Sequence, residues 1–86
     1  MEKEIDDKIL IFLARSKLRI EVLKELKNKP QIASFLSHKM KKHREVISRI
    51  FLDLQKMGLA ECKNPQTPSF RYYQITKKGK DVLEKL

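Results

Sequence analysis

Ser34-Phe-Leu-Ser-His-Lys-Met-Lys-Lys-His-Arg-Glu-Val-Ile-Ser-Arg-Ile-Phe-Leu-Asp-Leu-Gln-Lys-Met-Gly58 holds two helices and the turn between them. Ser34 stands where it can cap a brief helix whose inner face is Phe35, Leu36 and Met40. Lys41-Lys42-His43 is a polar run and reads as the turn. From about Arg44 a longer helix begins; at about 100° per residue, Ile47, Ile50, Phe51 and Leu54 fall together on its buried face. Gly58 ends it, because glycine enters the left-handed backbone of a helix C-terminus without a steric cost. With Ile47 pointing inward, Lys42, Glu45 and Arg49 point about 160 to 220° away and Ser48 about 100° to the side.

Upstream, residues 3 to 14 carry Ile5, Ile9, Phe12 and Leu13 at helical spacing, while Leu10 and Ile11 widen the apolar stripe beyond one face. Such a helix touches two surfaces, one of them on a second chain. Ser16 caps the next helix, in which Leu18, Val22, Leu23 and Leu26 recur on one side until Asn28-Lys29-Pro30 stops it. Gln31-Ile32-Ala33 leaves room for a short strand only. Downstream, Leu59 to Lys63 reads as a strand, Asn64-Pro-Gln-Thr-Pro-Ser69 as a loop, and Phe70 to Ile75 as a second strand with period-2 alternation. Thr76 caps a final helix through Leu86, with Val82, Leu83 and Leu86 as its apolar side.

The chain has 86 residues, enough for one domain and a modest core, and 36% of them are charged. A formal charge of +9 on so few residues attracts polyanions whatever the fold, which puts nucleic acid first among partners. No stretch approaches the roughly 20 apolar residues of a membrane span. The N-terminus, Met1-Glu-Lys-Glu-Ile-Asp-Asp, resembles neither a signal peptide nor a lipidation site, so the expectation is a cytoplasmic protein with no membrane partner. The one cysteine, Cys62, cannot form an internal disulfide. With His38 and His43 it makes no zinc-spaced ligand set, so neither a metal nor a cofactor is expected. Cys62 reads as a small half-buried strand residue; a redox switch would need a lowered thiol pKa or a symmetry-related partner. No phosphate loop, His-Glu-x-x-His or nucleophile-base arrangement is present, and the chain is not read as an enzyme.

The element order is helix, helix, short strand, short helix, long basic helix, hairpin, helix: mainly α with a small β-hairpin. It describes a winged helix-turn-helix with additional N- and C-terminal helices. Arg15-Ser-Lys-Leu-Arg-Ile-Glu-Val-Leu-Lys-Glu-Leu26, His43-Arg-Glu-Val-Ile-Ser-Arg49, Leu54-x-x-x-Gly58-Leu59 and Tyr73-x-Ile75-Thr76-x-x-Gly79-Lys together resemble the ArsR/MarR-type winged-helix regulators common in archaea. The resemblance covers about residues 15 to 83. Ser37 departs from the small alanine usual in the second helix, Phe35 replaces a commonly polar residue, and the cysteine pairs of metal-sensing members are missing. The resemblance implies a single DNA-binding domain over residues 1–86, regulating transcription, with helix 44–57 in the major groove and wing 59–75 on flanking backbone.

Within that frame, Arg49 is placed to bridge guanine O6 and N7, Ser48 to bond a base edge or phosphate, and Glu45 to accept from cytosine N4. Lys41, Lys42 and Arg44, around the helix start, are placed for phosphate contacts; Lys63 and Arg71 on the wing reach phosphates or the adjacent minor groove, and His43 and Asn64 are counted among the DNA-binding residues. Leu52 points outward, either to a thymine methyl or against neighbouring structure; Tyr72 is outward and ambiguous. Helices 1–15 and 77–86 would build a homodimer on double-stranded DNA. The alternatives are a winged-helix protein-interaction module and an architectural nucleic-acid-binding one. An RNA-binding role is disfavoured by the few aromatics.

Overall fold

A helix leaves its first four amides without partners inside it, and side chains close several of these here. In the computed structural model, which describes residues 7–86, α1 (Asp7–Ala14) is followed by α2 (Lys17–Asn28). Ile5 and the expected helix start at residue 3 lie outside the described residues. Ser16 caps α2 as expected, its hydroxyl accepting the Arg19 amide at 3.2 Å. Then come β1 (Gln31–Ile32), α3 (Ala33–Met40), α4 (Arg44–Lys56), β2 (Ala60–Cys62), β3 (Tyr72–Ile75) and α5 (Lys77–Lys85). The long helix begins at Arg44 as its periodicity indicates, and its buried residues are Ile47, Ile50, Phe51 and Leu54.

Three local expectations are corrected. The N-cap of α3 is Ile32, not Ser34, and makes no side-chain cap bond. Strand β1 runs directly into the helix, so Ser34 falls inside the first turn, where its carbonyl accepts the Ser37 hydroxyl at 2.9 Å. Phe35 is not on the inner face: it is 50% exposed, while Leu36 is fully buried. One residue of helix is a 100° step, and burying Leu36 carries Phe35 to the rim. At the far end, α5 stops at Lys85 and packs through Val82 and Leu83, leaving Leu86 exposed.

The core gathers on α2, which contacts α1, α4, α5 and β3. Val22, Leu23 and Leu26 are buried there, each contributing roughly 1.5–3 kcal/mol of hydrophobic stabilisation. The antiparallel sheet has the order β1-β3-β2, with Tyr73 of the central strand paired to Gln31 on one side and Cys62 on the other. On the face of β3 that meets α4, the Tyr73 ring lies 4.8 Å from that of Phe51. Gln31 is buried, and its side-chain amide donates to the Glu25 carbonyl at 3.2 Å, so the edge strand is tied to α2.

The end of α4 fixes everything that follows it. Gly58 has φ +79; its amide donates to the Gln55 carbonyl and the Leu59 amide to the Leu54 carbonyl, both at 2.9 Å. This pair of bonds is a Schellman motif, and Leu59 and Leu54 are both buried, as the motif's apolar contact requires. Thr76 then binds the same turn twice, donating its amide to the Leu59 carbonyl at 3.0 Å and its hydroxyl to the Gly58 carbonyl at 2.7 Å. The same hydroxyl accepts the Gly79 amide at 3.0 Å and caps α5. A Cβ on Gly79 would collide with the Leu59 carbonyl and lie 2.6 Å from Ile75 Cγ1.

Gly79→Ala should therefore cost about 2–3 kcal/mol, because backbone rather than a flexible side chain must move. Gly58→Ala meets nothing nearer than the Lys78 side chain at 3.6 Å and should cost only about 1 kcal/mol, from left-handed strain. Urea unfolding midpoints check the order; equal losses would mean that the collision at Gly79 relaxes freely.

Candidate nucleic-acid interface

The side of α4 opposite its buried stripe carries Glu45, Arg49 and Lys56, all exposed, with Ser48 half-buried beside them; Lys42, expected on the same side, lies in the link before the helix and is exposed there. The helix geometry read from the sequence thus matches the accessibility. Lys41, Lys42 and His43 form the link between α3 and α4, and all three are exposed. His43 is the N-cap of α4 through its backbone; its side chain makes no cap bond. Lys39 belongs to the same basic run but turns back, its ammonium 2.9 Å from the Glu25 carboxylate.

Lys41 ends α3 in left-handed backbone, at φ 58 and ψ 47. Its amide donates to the Ser37 carbonyl, as does that of Lys42 at 2.9 Å. A position of this kind favours glycine, and a residue with a Cβ pays roughly 1–2 kcal/mol to occupy it. The sharp link it makes aims α4 across α3, the geometry a helix-turn-helix needs.

The wing is the nine-residue connection 63–71 between β2 and β3, and one side chain closes it. Asn64 accepts the Tyr72 amide on Oδ1 at 2.8 Å and donates from Nδ2 to the Phe70 carbonyl at 3.1 Å. The Cys62 thiol lies 3.8 Å from the same oxygen. Arg71 Nε donates to the Thr67 carbonyl at 2.7 Å, and Lys63 continues the ladder by donating its amide to the Tyr72 carbonyl at 2.8 Å. Asn64, expected among the DNA-binding residues, has both ends of its amide engaged inside the loop. Arg71 spends one N–H there and keeps the terminal nitrogens of its guanidinium for other partners.

Phe70 is no strand residue, contrary to the alternation. It sits at φ 55, and its ring is 69% exposed. For a bulky aromatic this backbone is an outlier, held at a cost of about 1–2 kcal/mol. β3 starts only at Tyr72: the Tyr72 amide goes to the Asn64 side chain, and in the register of the sheet Phe70 would face Pro65, which has no amide N–H to give. Between α4, the start of α3 and the wing lies a cleft of 410 Å³. Arg44 and Ser48 enter it from α4 and Arg71 from the wing, so three of the expected site residues converge. Glu45 and Arg49 lie on the outer face of α4, Lys63 and Asn64 at the root of the wing. Sequence reasoning missed Phe70 as a site residue and Asn64 as a brace. The signal available for Phe70 was its place between Pro68 and Arg71, in a loop rather than a strand.

No protein-family model matches the sequence, and no curated protein does. Among solved structures, the chain is similar to the crystal structure of a MarR family transcription regulator, with 27% identity and a TM-score of 0.61 over 76% of this chain. The fold is a winged helix-turn-helix. In its terms α3 and α4 are the helix pair, β2 and β3 the wing, and α1 and α5 the additional helices. The likeness spans only 42% of that regulator's length.

Lys41→Gly should raise stability by about 0.5–1 kcal/mol, the relief of left-handed strain less the extra freedom of glycine in the unfolded chain. Asn64→Ala should leave the core intact yet speed hydrogen exchange at the Tyr72 amide by at least tenfold, since that amide loses its acceptor. Unchanged exchange would show that the wing is held by its strands alone.

Proposed function

We propose that this chain is a sequence-specific, double-stranded DNA-binding transcriptional regulator. It acts in the cytoplasm as a homodimer, with α4 in the major groove and the wing on flanking backbone. The observation that carries the reading is the outer face of α4. Glu45, Ser48 and Arg49 stand on it, with Lys42 in the link just before the helix and a basic wing beside them, on a fold shared with a transcription regulator. Arg49 and Glu45 suit base edges, Arg49 as a bidentate donor to guanine and Glu45 as an acceptor from cytosine. Lys41, Lys42, His43, Arg44, Lys63 and Arg71 suit phosphates. The role needs no catalytic chemistry and no cofactor.

The dimer rests on α1. Ile9 and Leu13 are buried against their own chain, whereas Ile11 on the opposite side is 53% exposed. An apolar side chain so placed on a terminal helix suits a two-fold contact. Sedimentation at micromolar concentration should show a dimer, and Ile11→Lys a monomer; a monomeric wild type would remove this part of the reading.

Arg49→Ala should cost about 1–3 kcal/mol at the preferred site and relax the base choice there. Lys42→Ala should weaken all sequences about equally and flatten the salt dependence, since each phosphate contact releases counterions. Two positions sensitive to Arg49 should lie about one helical turn, ~10 bp, or a multiple of it apart. Binding to a randomised DNA pool at two salt concentrations measures all three. If Arg49→Ala shifts every sequence by one factor, the helix grips DNA without reading it, and an architectural role takes the place of the regulator.

A further inference from the structure

Leu52 and Phe70 have no role in the base and phosphate contacts proposed above, yet both stand exposed at 51% and 69% on the walls of the cleft between α4 and the wing. Three features of the cleft bear on what fills it. Among the described residues its charged lining is two arginines, Arg44 and Arg71, with no carboxylate, which suits an anionic occupant. Hydroxyls from α4 and the wing, Ser48 and Ser69, stand beside them as neutral partners for anionic oxygens. The two apolar walls require that the same occupant also present apolar surface. The left-handed backbone at Phe70, its carbonyl tied to Asn64, sets the direction in which the side chain leaves the wing.

A nucleic-acid strand offers this alternation, charged phosphates between sugar rings whose faces are C–H. Duplex geometry supplies the position. One sugar-phosphate strand separates the major groove from the adjacent minor groove, so with α4 in one and the wing reaching toward the other, that strand runs through the gap between them. We propose that the cleft is a deoxyribose-phosphate clamp: Arg44, Arg71 and Ser48 hold consecutive phosphates, and Leu52 and Phe70 cover the sugar between them. This rests on the DNA-binding reading and adds to it a selectivity for the sugar. A ribose in the clamp would bring its 2′-hydroxyl against Leu52 and Phe70, out of water and without a partner, which penalises RNA at that nucleotide.

The test uses the full chain and the duplex that it selects from a randomised pool, resynthesised with one ribonucleotide at each position in turn and, separately, one methylphosphonate. Wild type should lose roughly tenfold in affinity at one or two adjacent ribonucleotides in each half-site, the loss expected for burying an unpaired hydroxyl. The neutral phosphate should weaken binding at the neighbouring linkages. Phe70→Ala and, independently, Leu52→Ala should abolish the ribonucleotide penalty while keeping the base preference set by Arg49. Phe70→Gly, free of left-handed strain, should do the same in a chain at least as stable. Arg44→Gln and Arg71→Gln should remove the sensitivity to the methylphosphonates. A wild type that binds its duplex but tolerates ribonucleotides everywhere overturns the clamp and leaves the regulator reading standing, and so does a penalty that survives in both the Phe70 and Leu52 variants. A chain that selects no duplex overturns both.

Discussion

Thr76 is anchored to the turn that ends α4, and the placement of the wing depends on that anchor. Its amide and hydroxyl take the Leu59 and Gly58 carbonyls, two groups that a helix C-terminus would otherwise leave to water. The same hydroxyl starts α5. The end of one helix, the exit of β3 and the start of another helix therefore meet at a single side chain. The hairpin between them has no freedom to slide along α4, because both its ends are fixed at one point. Gly79 belongs to this anchor for a reason of space: the α5 backbone comes so close to Leu59 that a methyl group does not fit.

A second layer of constraint comes from β3 being the central strand. Tyr73 is paired on both edges and packed on Phe51 of α4, so the sheet transmits the position of α4 to the wing through a ring contact as well as through the chain. Offset aromatic pairs of this kind are worth about 0.5–1.5 kcal/mol beyond their buried area. The outer face of α4 and the wing are thereby tied to each other, while the loop of the wing is closed from within by the Asn64 side chain and by the Arg71 bond to the Thr67 carbonyl.

The sequence disclosed what depends on period and on short-range caps. Ile47, Ile50, Phe51 and Leu54 recur at helical spacing, Ser16 and Thr76 have the chemistry of caps, and Gly58 is the one residue type at ease with φ +79. Outward residues followed from the same arithmetic, which is why Glu45 and Arg49 are exposed where expected, whereas Lys42 is exposed only because it lies in the link before the helix. What stayed hidden was set by contacts across the chain or by short elements. α3 has only two turns, too few for period to separate Phe35 from Leu36, although the polar residue usual at that position in the resembling family points the right way. Phe70 continues the alternation of Tyr72 and Gln74 on paper; the Asn64 amide, six residues away, overrides it. Lys41 in left-handed backbone has no local sequence signal, since the position would favour glycine.

The junction of α1 and α2 shows how the additional helix is held. Arg19 lies with its guanidinium 3.8 Å from the centre of the Phe12 ring and donates to the Phe12 carbonyl at 2.7 Å, so one side chain on α2 grips both the face and the backbone of the last turn of α1. Since α2 is also the core against which α4 packs, α1 is a lever fixed, through α2, to α4. In a pair of chains joined through α1, a small angular error at this pivot would grow along the lever into a displacement of one α4 relative to the other. In such a pair the Arg19 grip would act as the ruler, setting how strictly the distance between the two α4 helices is kept.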